Sequence, residues 1–109
     1  MKFYEGFNPK EYRIHHFSKS NRKNKKYVAH IIYIGRLKDL PNPKKNYIID
    51  IHFGDNRYEH YKDITPNPLY SHLDHLDIDR RRRYIKRFEN NPSYYQPYSP
   101  LWFSTKFLW

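Results

Sequence analysis

Histidine and carboxylate side chains, the groups that most often bind metals or transfer protons, concentrate between residues 52 and 77 of this 109-residue chain. They are His52, His60, Asp63, His72, Asp74, His75 and Asp77. Two imidazoles and a carboxylate in residues 72–75 have the chemistry that zinc or another first-row metal accepts. Their spacing matches neither the HExxH helix nor a zinc finger, and the chain has no cysteine. We therefore expect no metal and no other cofactor.

The same segment is better interpreted as a structural polar cluster, because side chains of this kind commonly form hydrogen bonds that fix turns. The residues assigned to this cluster are Tyr58, Tyr61, Asp63, His72, Asp74 and His75.

Catalytic chemistry has little support in the sequence. Ser71 precedes His72, but adjacency along the chain does not give the geometry of a catalytic triad. The three glycines are far apart and form no phosphate-binding loop. Acid–base catalysis by two of the carboxylates stays open, although no spacing selects a pair. We expect a non-enzymatic protein with no catalytic residue.

Two apolar segments predict the strands of an antiparallel hairpin. Residues 27–34 are rich in β-branched and aromatic side chains and end at Gly35. Residues 47–53 alternate, with Tyr47, Ile49, Ile51 and Phe53 on one face. A proline-rich connection over residues 38–46 joins the two strands. Residues 11–17 are compatible with a further short strand.

The second half of the chain predicts a helix and an aromatic tail. Asp77 is suited to cap a helix that runs to about Glu89, and its narrow apolar stripe needs a sheet or a partner. The tail, residues 92–109, holds four candidate docking aromatics, Trp102, Phe103, Phe107 and Trp109. Residues 101–109 fit a helix and a strand equally well. The tail either docks into a neighbouring subunit or, as we favour for so small a domain, completes its own core.

These elements predict a small α+β fold, with an antiparallel β-hairpin or three-stranded sheet packed on one basic helix in the C-terminal half, and an aromatic tail. Residues 1–26 are assigned to a basic extended arm and loop. Residues 27–109 are assigned to a single α+β domain that includes the tail.

Charge is unevenly distributed along the chain, whose net charge is +10. Residues 1–46 hold 12 basic and 3 acidic residues, residues 47–79 hold 2 and 7, and residues 80–109 hold 7 and 1. The acidic middle could neutralise itself within the fold or join copies head to tail, so a homo-oligomer is compatible with the sequence.

Two basic clusters are candidates for contact with acidic partners or phosphate groups. They comprise Lys23, Lys25 and Lys26, and then Arg80, Arg81, Arg82, Arg83, Lys86 and Arg87. The plain alternative is a solvated run of charge. Consecutive helical residues point about 100° apart, so the four arginines cannot form the single stripe of a groove-reading helix.

Several ordered landmarks carry a resemblance to a known family. They are Phe53-Gly54, Tyr61-Lys62-Asp63, His72-Leu73-Asp74-His75, the basic helix with Tyr84-Ile85-Lys86-Arg87, and Phe103-Ser104 before Phe107-Leu108-Trp109. In this order they resemble an uncharacterised family of small basic proteins of large nucleocytoplasmic DNA viruses, with relatives in some bacteriophages. Phe88 stands where that family often has His, and Pro100-Leu101 where it often has Gly.

The resemblance implies a viral origin and a structural or packaging setting, and it supplies no catalytic residue. We expect a viral structural protein, a minor capsid or inner virion component that bridges larger viral proteins through basic and aromatic surfaces. The alternative is a non-specific DNA- or RNA-binding protein that packages or protects the viral genome. The expected locations are the virion and, during assembly, the host cytoplasm or viral factory. The longest apolar run, residues 27–34, is far shorter than the roughly 20 residues of a membrane-spanning helix.

Overall fold

The computed structural model describes residues 7–35 and 48–109, which form an antiparallel sheet followed by helices. The strands are β1 (Tyr12–Lys19), β2 (Lys25–Tyr33) and β3 (Ile48–Asp55), in the spatial order β1-β2-β3. The helices are α1 (Ile78–Phe88), α2 (Pro92–Tyr95) and α3 (Pro100–Phe107), with short 3-10 helices at Pro9–Glu11 and Ser71–Leu73. The predicted α+β class with a three-stranded antiparallel sheet is confirmed.

The hairpin predicted from the two apolar segments is formed by β2 and β3. Tyr27 lies opposite Phe53, and Ala29 lies opposite Ile51. All four side chains are fully buried on the same face of the sheet, which confirms the alternation predicted for this part of β3. Tyr47 and the proline-rich connection, residues 38–46, lie outside the described residues.

Strand β1 shows that the domain begins earlier in the chain than residue 27, the start predicted from the sequence. β1 pairs antiparallel with β2, and Phe17 lies opposite Ala29. Tyr12 and Phe17 are only 5% and 8% exposed, so burial of apolar surface holds this strand to the sheet. The interpretation of residues 1–26 as an extended arm and loop is therefore wrong for residues 12–19 and 25–26, which belong to strands, whereas residues 20–24 do form a loop. The two aromatic residues are surrounded in the sequence by basic and polar residues, so the local composition did not indicate that their side chains belong to the core.

Helix α1 begins and ends where its capping residues predict. The Asp77 carboxylate accepts hydrogen bonds from the backbone N–H groups of Asp79 at 3.0 Å and Arg80 at 3.2 Å. These are N–H groups that lack partners within the helix. The helix ends at Phe88, close to the predicted stop.

The aromatic tail completes the protein's own core. Residues 100–107 form α3, in which Phe103 is fully buried and stacks on Phe53, with ring centroids 5.2 Å apart. Phe107 lies 4.7 Å from Phe17, measured between ring centroids. The docking role predicted for Phe103 is therefore wrong, because its side chain has no exposed surface. Helix α3 is the layer that lies directly on β3.

Helix α1 is attached to α3 by an aromatic stack. The rings of Tyr84 and Trp109 lie 4.4 Å apart and are nearly parallel, at 5°. The Tyr84 hydroxyl also lies 3.1 Å from the Thr105 hydroxyl. Of the helices within residues 7–35 and 48–109, none is both long enough and apolar enough to cross a lipid bilayer.

Candidate functional site

The first of two buried polar networks surrounds the carboxylate of Asp63, which is 5% exposed. The hydroxyls of Tyr27 and Thr65 and the backbone N–H of Tyr70 donate hydrogen bonds to it. Burial alone would raise the pKa of Asp63, but these hydrogen bonds outweigh burial and leave its pKa below the ordinary value. An ionised Asp63 therefore joins the loop after β3 to strand β2.

The second network joins Lys26, His60 and Asp74. Lys26 Nζ lies 2.8 Å from His60 Nδ1 and donates to the carbonyl of Tyr58 at 2.9 Å. His60 Nε2 lies 2.6 Å from Asp74 Oδ1. Burial lowers the pKa of Lys26 to about 8 and also lowers the pKa of His60. Neutral His60 can thus accept from Lys26 at Nδ1 and donate its Nε2–H to Asp74.

The prediction that Lys26 contacts a partner is therefore wrong. Its side chain is 2% exposed, and its ammonium group is already bonded inside the protein. The sequence placed it in a run of basic residues, where an exposed lysine is the ordinary expectation. The loop that covers it begins more than thirty positions later, at Tyr58, so no local pattern reveals its burial.

The structure brings together only some of the six residues predicted to form one polar cluster. Asp63 and Asp74 lie at the centres of the two networks, which are joined by a hydrogen bond from the backbone N–H of Asp63 to Asp74 Oδ1 at 2.8 Å. Tyr58 is 62% exposed and contributes only its backbone carbonyl, and His72 is exposed beside Tyr70. Three further members of the networks, Lys26, Tyr27 and His60, were not predicted from the sequence. The position of Tyr27 on the apolar face of a strand was the one signal that its hydroxyl needs a buried partner.

The other two predicted members, Tyr61 and His75, pack against the end of α3. The His75 ring lies 5.1 Å from Trp109 and 6.1 Å from Tyr61, measured between centroids. Its Nδ1 accepts the backbone N–H of Asp77 at 2.9 Å. Burial lowers the pKa of His75, so the ring is neutral and carries its proton on Nε2. This packing joins the segment before α1 to Trp109.

Every carboxylate in residues 48–79 has a partner within the chain. Asp50 bonds His30, Asp55 bonds Arg57, Glu59 bonds Arg80, Asp63 bonds Tyr27, Asp74 bonds His60, Asp79 bonds Arg82, and Asp77 caps α1. The hydrogen bond from Arg57 lowers the pKa of Asp55 to about 2. Among the described residues, Asp55, Glu59 and Asp79 pair with arginines, so the structure supports neutralisation of part of the acidic segment within the fold.

The basic residues of α1 are only partly neutralised. Arg80 lies 3.2 Å from Glu59, and Arg82 lies 3.4 Å from Asp79. The other four, Arg81, Arg83, Lys86 and Arg87, are exposed. Within residues 7–35 and 48–109, none of these four is paired with a carboxylate. In the other cluster, Lys23 is exposed and Lys25 is half-buried.

A shallow depression of about 120 Å³ lies between α1, α3 and the loop after β3. It is lined by Tyr61, Lys62, Ile64, Arg81, Thr105, Lys106, Phe107 and Trp109. The guanidinium carbon of Arg81 lies 4.8 Å from the centroid of the Tyr61 ring. The backbone N–H groups of Lys62 and Ile64 donate to carbonyls of Leu108 and Phe107, each at 3.0 Å. Among the described residues that line it, three are cationic and none is acidic.

The opposite face of the sheet carries a hydrogen-bonded chain that was not predicted from the sequence. Ser18 Oγ lies 2.7 Å from His30 Nε2, and His30 Nδ1 lies 2.6 Å from Asp50 Oδ1. This is the order of contacts in a serine-protease triad. The Asp50 side chain is 55% exposed, however, so water weakens its hold on the imidazole. We interpret the chain as cross-strand polar pairing, which required knowledge of the register to foresee.

The two histidines weighed as metal ligands, His72 and His75, lie in different surroundings, as described above. Within the described ranges, 7–35 and 48–109, no three histidine, cysteine, aspartate or glutamate side chains are placed to hold a metal ion. Comparison of the chain with protein-family models, curated proteins and solved structures finds no match.

Proposed function

We propose that this protein is a non-enzymatic structural component of a viral particle, in a minor capsid or inner virion layer, that bridges acidic surfaces of larger proteins. The observation that supports the proposal most directly is the imbalance of charge on α1. The carboxylates of residues 48–79 have partners within the fold, whereas four exposed cations of α1 form no ion pair with a carboxylate of residues 7–35 and 48–109. Those cations are available to an acidic partner.

The attachment of α1 suits this role because a fixed element loses little conformational freedom on binding. The helix is capped by Asp77 at its start and held by the Tyr84 stack in its middle. Burial raises the pKa of Tyr84 to about 12, so its hydroxyl stays neutral at physiological pH. The exposed arginines thus project from a rigid support.

The viral setting is part of the proposal and is supported by the ordered landmarks of residues 47–109. Its test is mass spectrometry of purified, salt-washed particles after treatment with an amine-reactive cross-linker. We expect the protein in the particles, with cross-links from exposed Lys86 to a larger structural protein. Buried Lys26 is the matched lysine that should form none. Absence of the protein from washed particles would contradict the proposal.

A second candidate function is non-specific nucleic-acid binding. It is favoured by the exposure of Arg81, Arg82 and Arg83 around the helix axis, since contacts to phosphates need positive charge but no single recognition stripe. Binding to random duplex DNA, measured by fluorescence anisotropy, should then fall steeply between about 50 and 200 mM salt. Lack of binding at the lower salt concentration would remove this candidate.

A further inference from the structure

We propose that the depression between α1, α3 and the loop after β3 is a binding site for a carboxylate side chain in an acidic segment of a partner protein. Arg81 is its main ligand, and Lys62 and Lys106 supply further positive charge at its edge. The inference rests on the proposed function and deepens it, because it says where on the surface the acidic partner is held.

Arg81 is prepared for this role by its contact with Tyr61. The guanidinium lies over the aromatic ring, with its carbon 4.8 Å from the centroid, an arrangement that is attractive and restricts the side chain. A planar guanidinium can then offer two parallel N–H donors to one carboxylate. Arg83 is also exposed on α1 but does not line the depression. The two arginines therefore differ in position and not in charge.

The size of the depression favours a single group over a whole small molecule. Its volume is about 120 Å³, whereas pockets for small ligands usually have about 300–1,000 Å³. One anionic group of a longer partner fits such a space, with the rest of the partner lying on the surrounding surface.

The residues that line the depression are held in place by hydrogen bonds within the protein, so the site is preformed. The loop residues Lys62 and Ile64 are bonded through their backbone N–H groups to the end of α3. The Thr105 hydroxyl donates to the carbonyl of Leu101 at 2.8 Å and lies 3.1 Å from the Tyr84 hydroxyl. Thr105 is therefore engaged within the fold, and the charged side chains are left to contact a ligand.

A protein carboxylate is favoured over a nucleic acid because the aromatic rings are already engaged. Arg81 lies over Tyr61, and Tyr84 stacks on Trp109, so these rings offer little face on which a base could stack. A second copy of the chain is a poor partner for a different reason. The acidic segment of such a copy, residues 48–79, could present a carboxylate only in exchange for contacts within its own fold.

The test uses Trp109 as a reporter of occupancy. The chain has two tryptophans, so the variant Trp102→Phe leaves Trp109 as the only one. We expect addition of poly-L-glutamate to change the fluorescence of Trp109 in this variant in a saturable manner. Oligothymidine of equal charge should bind more weakly and leave the emission of Trp109 unchanged.

A matched pair of variants separates the depression from general charge attraction. In the same Trp102→Phe background, Arg81→Ala should weaken poly-L-glutamate binding on the order of tenfold. Arg83→Ala removes the same charge from the same helix and should weaken binding about twofold at most. Arg81→Lys should restore only part of the affinity, because lysine lacks the planar pair of donors. Unchanged circular dichroism spectra control for folding.

The possible failures have different meanings. Equal losses for Arg81→Ala and Arg83→Ala would overturn the site but leave the proposed function standing. No binding of poly-L-glutamate at low salt would overturn both. Tighter binding of oligothymidine, with loss only in Arg81→Ala, would show that the occupant is a phosphate and would overturn the assignment to a protein carboxylate.

Discussion

Buried charged residues of this protein are stabilised by several partners each. Asp63 receives four hydrogen bonds, from Tyr27, from Tyr70 and from the side chain and backbone of Thr65. Lys26 is bonded to His60 and to the carbonyl of Tyr58. Burying a charge is costly unless it is paired and bonded in this way. We therefore expect the stability of the protein to be sensitive to these two side chains.

Replacement of Asp63 by alanine should lower the free energy of unfolding by about 3 kcal/mol, since it leaves buried donors without an acceptor. The measurement is urea denaturation followed by circular dichroism. Glu59→Ala is the matched control, because it removes a carboxylate whose ion pair with Arg80 is exposed and should cost less than about 1 kcal/mol. Equal effects of the two variants would show that the Asp63 network contributes little.

The lowered pKa of Lys26 predicts a pH dependence with a definite sign. Its value of about 8 lies below the ordinary value of 10.5, so between these values the unfolded chain binds more protons than the folded one. Stability must therefore rise with pH in this range. We expect a gain of about 2 kcal/mol from this group between about pH 7.5 and pH 9.5, measured by urea denaturation.

The variant Lys26→Met tests the origin of that rise, because it keeps the length of the side chain and removes its charge. Its free energy of unfolding should not rise between the same two pH values. The pKa of Tyr27 and of Tyr84 is raised to about 12 by burial, so wild-type stability should fall again at higher pH. A rise that persists in Lys26→Met would refute the assignment to Lys26.

At the level of elements, the sequence was most informative where one local signal dominates. Alternation identified β3, and Asp77 identified the start of α1. Helix α3 was left open because aromatic side chains are spread through residues 101–109 and suit either period. A capping signal was nevertheless present, since Ser99 Oγ accepts the N–H of Trp102 at 3.0 Å and Pro100 occupies the first turn.

Features that depend on contacts between distant parts of the chain could not be foreseen. The burial of Lys26 depends on the loop at residues 58–60, and the alignment of Ser18, His30 and Asp50 depends on the register of three strands. The depression likewise joins a loop, α1 and α3. A single sequence shows which residue types are present, but it does not show which distant residues come together in the folded protein.

The contact of α3 with the sheet predicts a large effect of one core substitution. Phe103→Ala should destabilise the protein by about 3–5 kcal/mol, because it opens a cavity beside Phe53. Tyr95→Ala is the control, since that side chain is 66% exposed and should change stability by less than about 0.5 kcal/mol. Thermal and urea denaturation would measure both. A small loss for Phe103→Ala would mean that α3 is not part of the core.

At the scale of the whole molecule, the distribution of charge bears on self-association. Each carboxylate of the acidic middle segment already has a partner within the fold, which disfavours head-to-tail binding of the basic helix of another copy. We therefore expect a monomer in sedimentation experiments, and the same sedimentation coefficient when salt is lowered from about 150 to 50 mM. An oligomer that forms at low salt and dissociates at high salt would contradict this interpretation of the charge distribution.

The packing of Phe103 on β3 also affects how the protein folds during its synthesis. The strands emerge from the ribosome well before the helix that covers their apolar face, since α3 begins 45 positions after β3 ends. Until that helix is translated, the aromatic face of the newly synthesised sheet is uncovered and can be bound by chaperones. The sheet therefore cannot complete its core until α3 has been translated, and ribosome-stalled fragments that lack α3 should remain protease-sensitive.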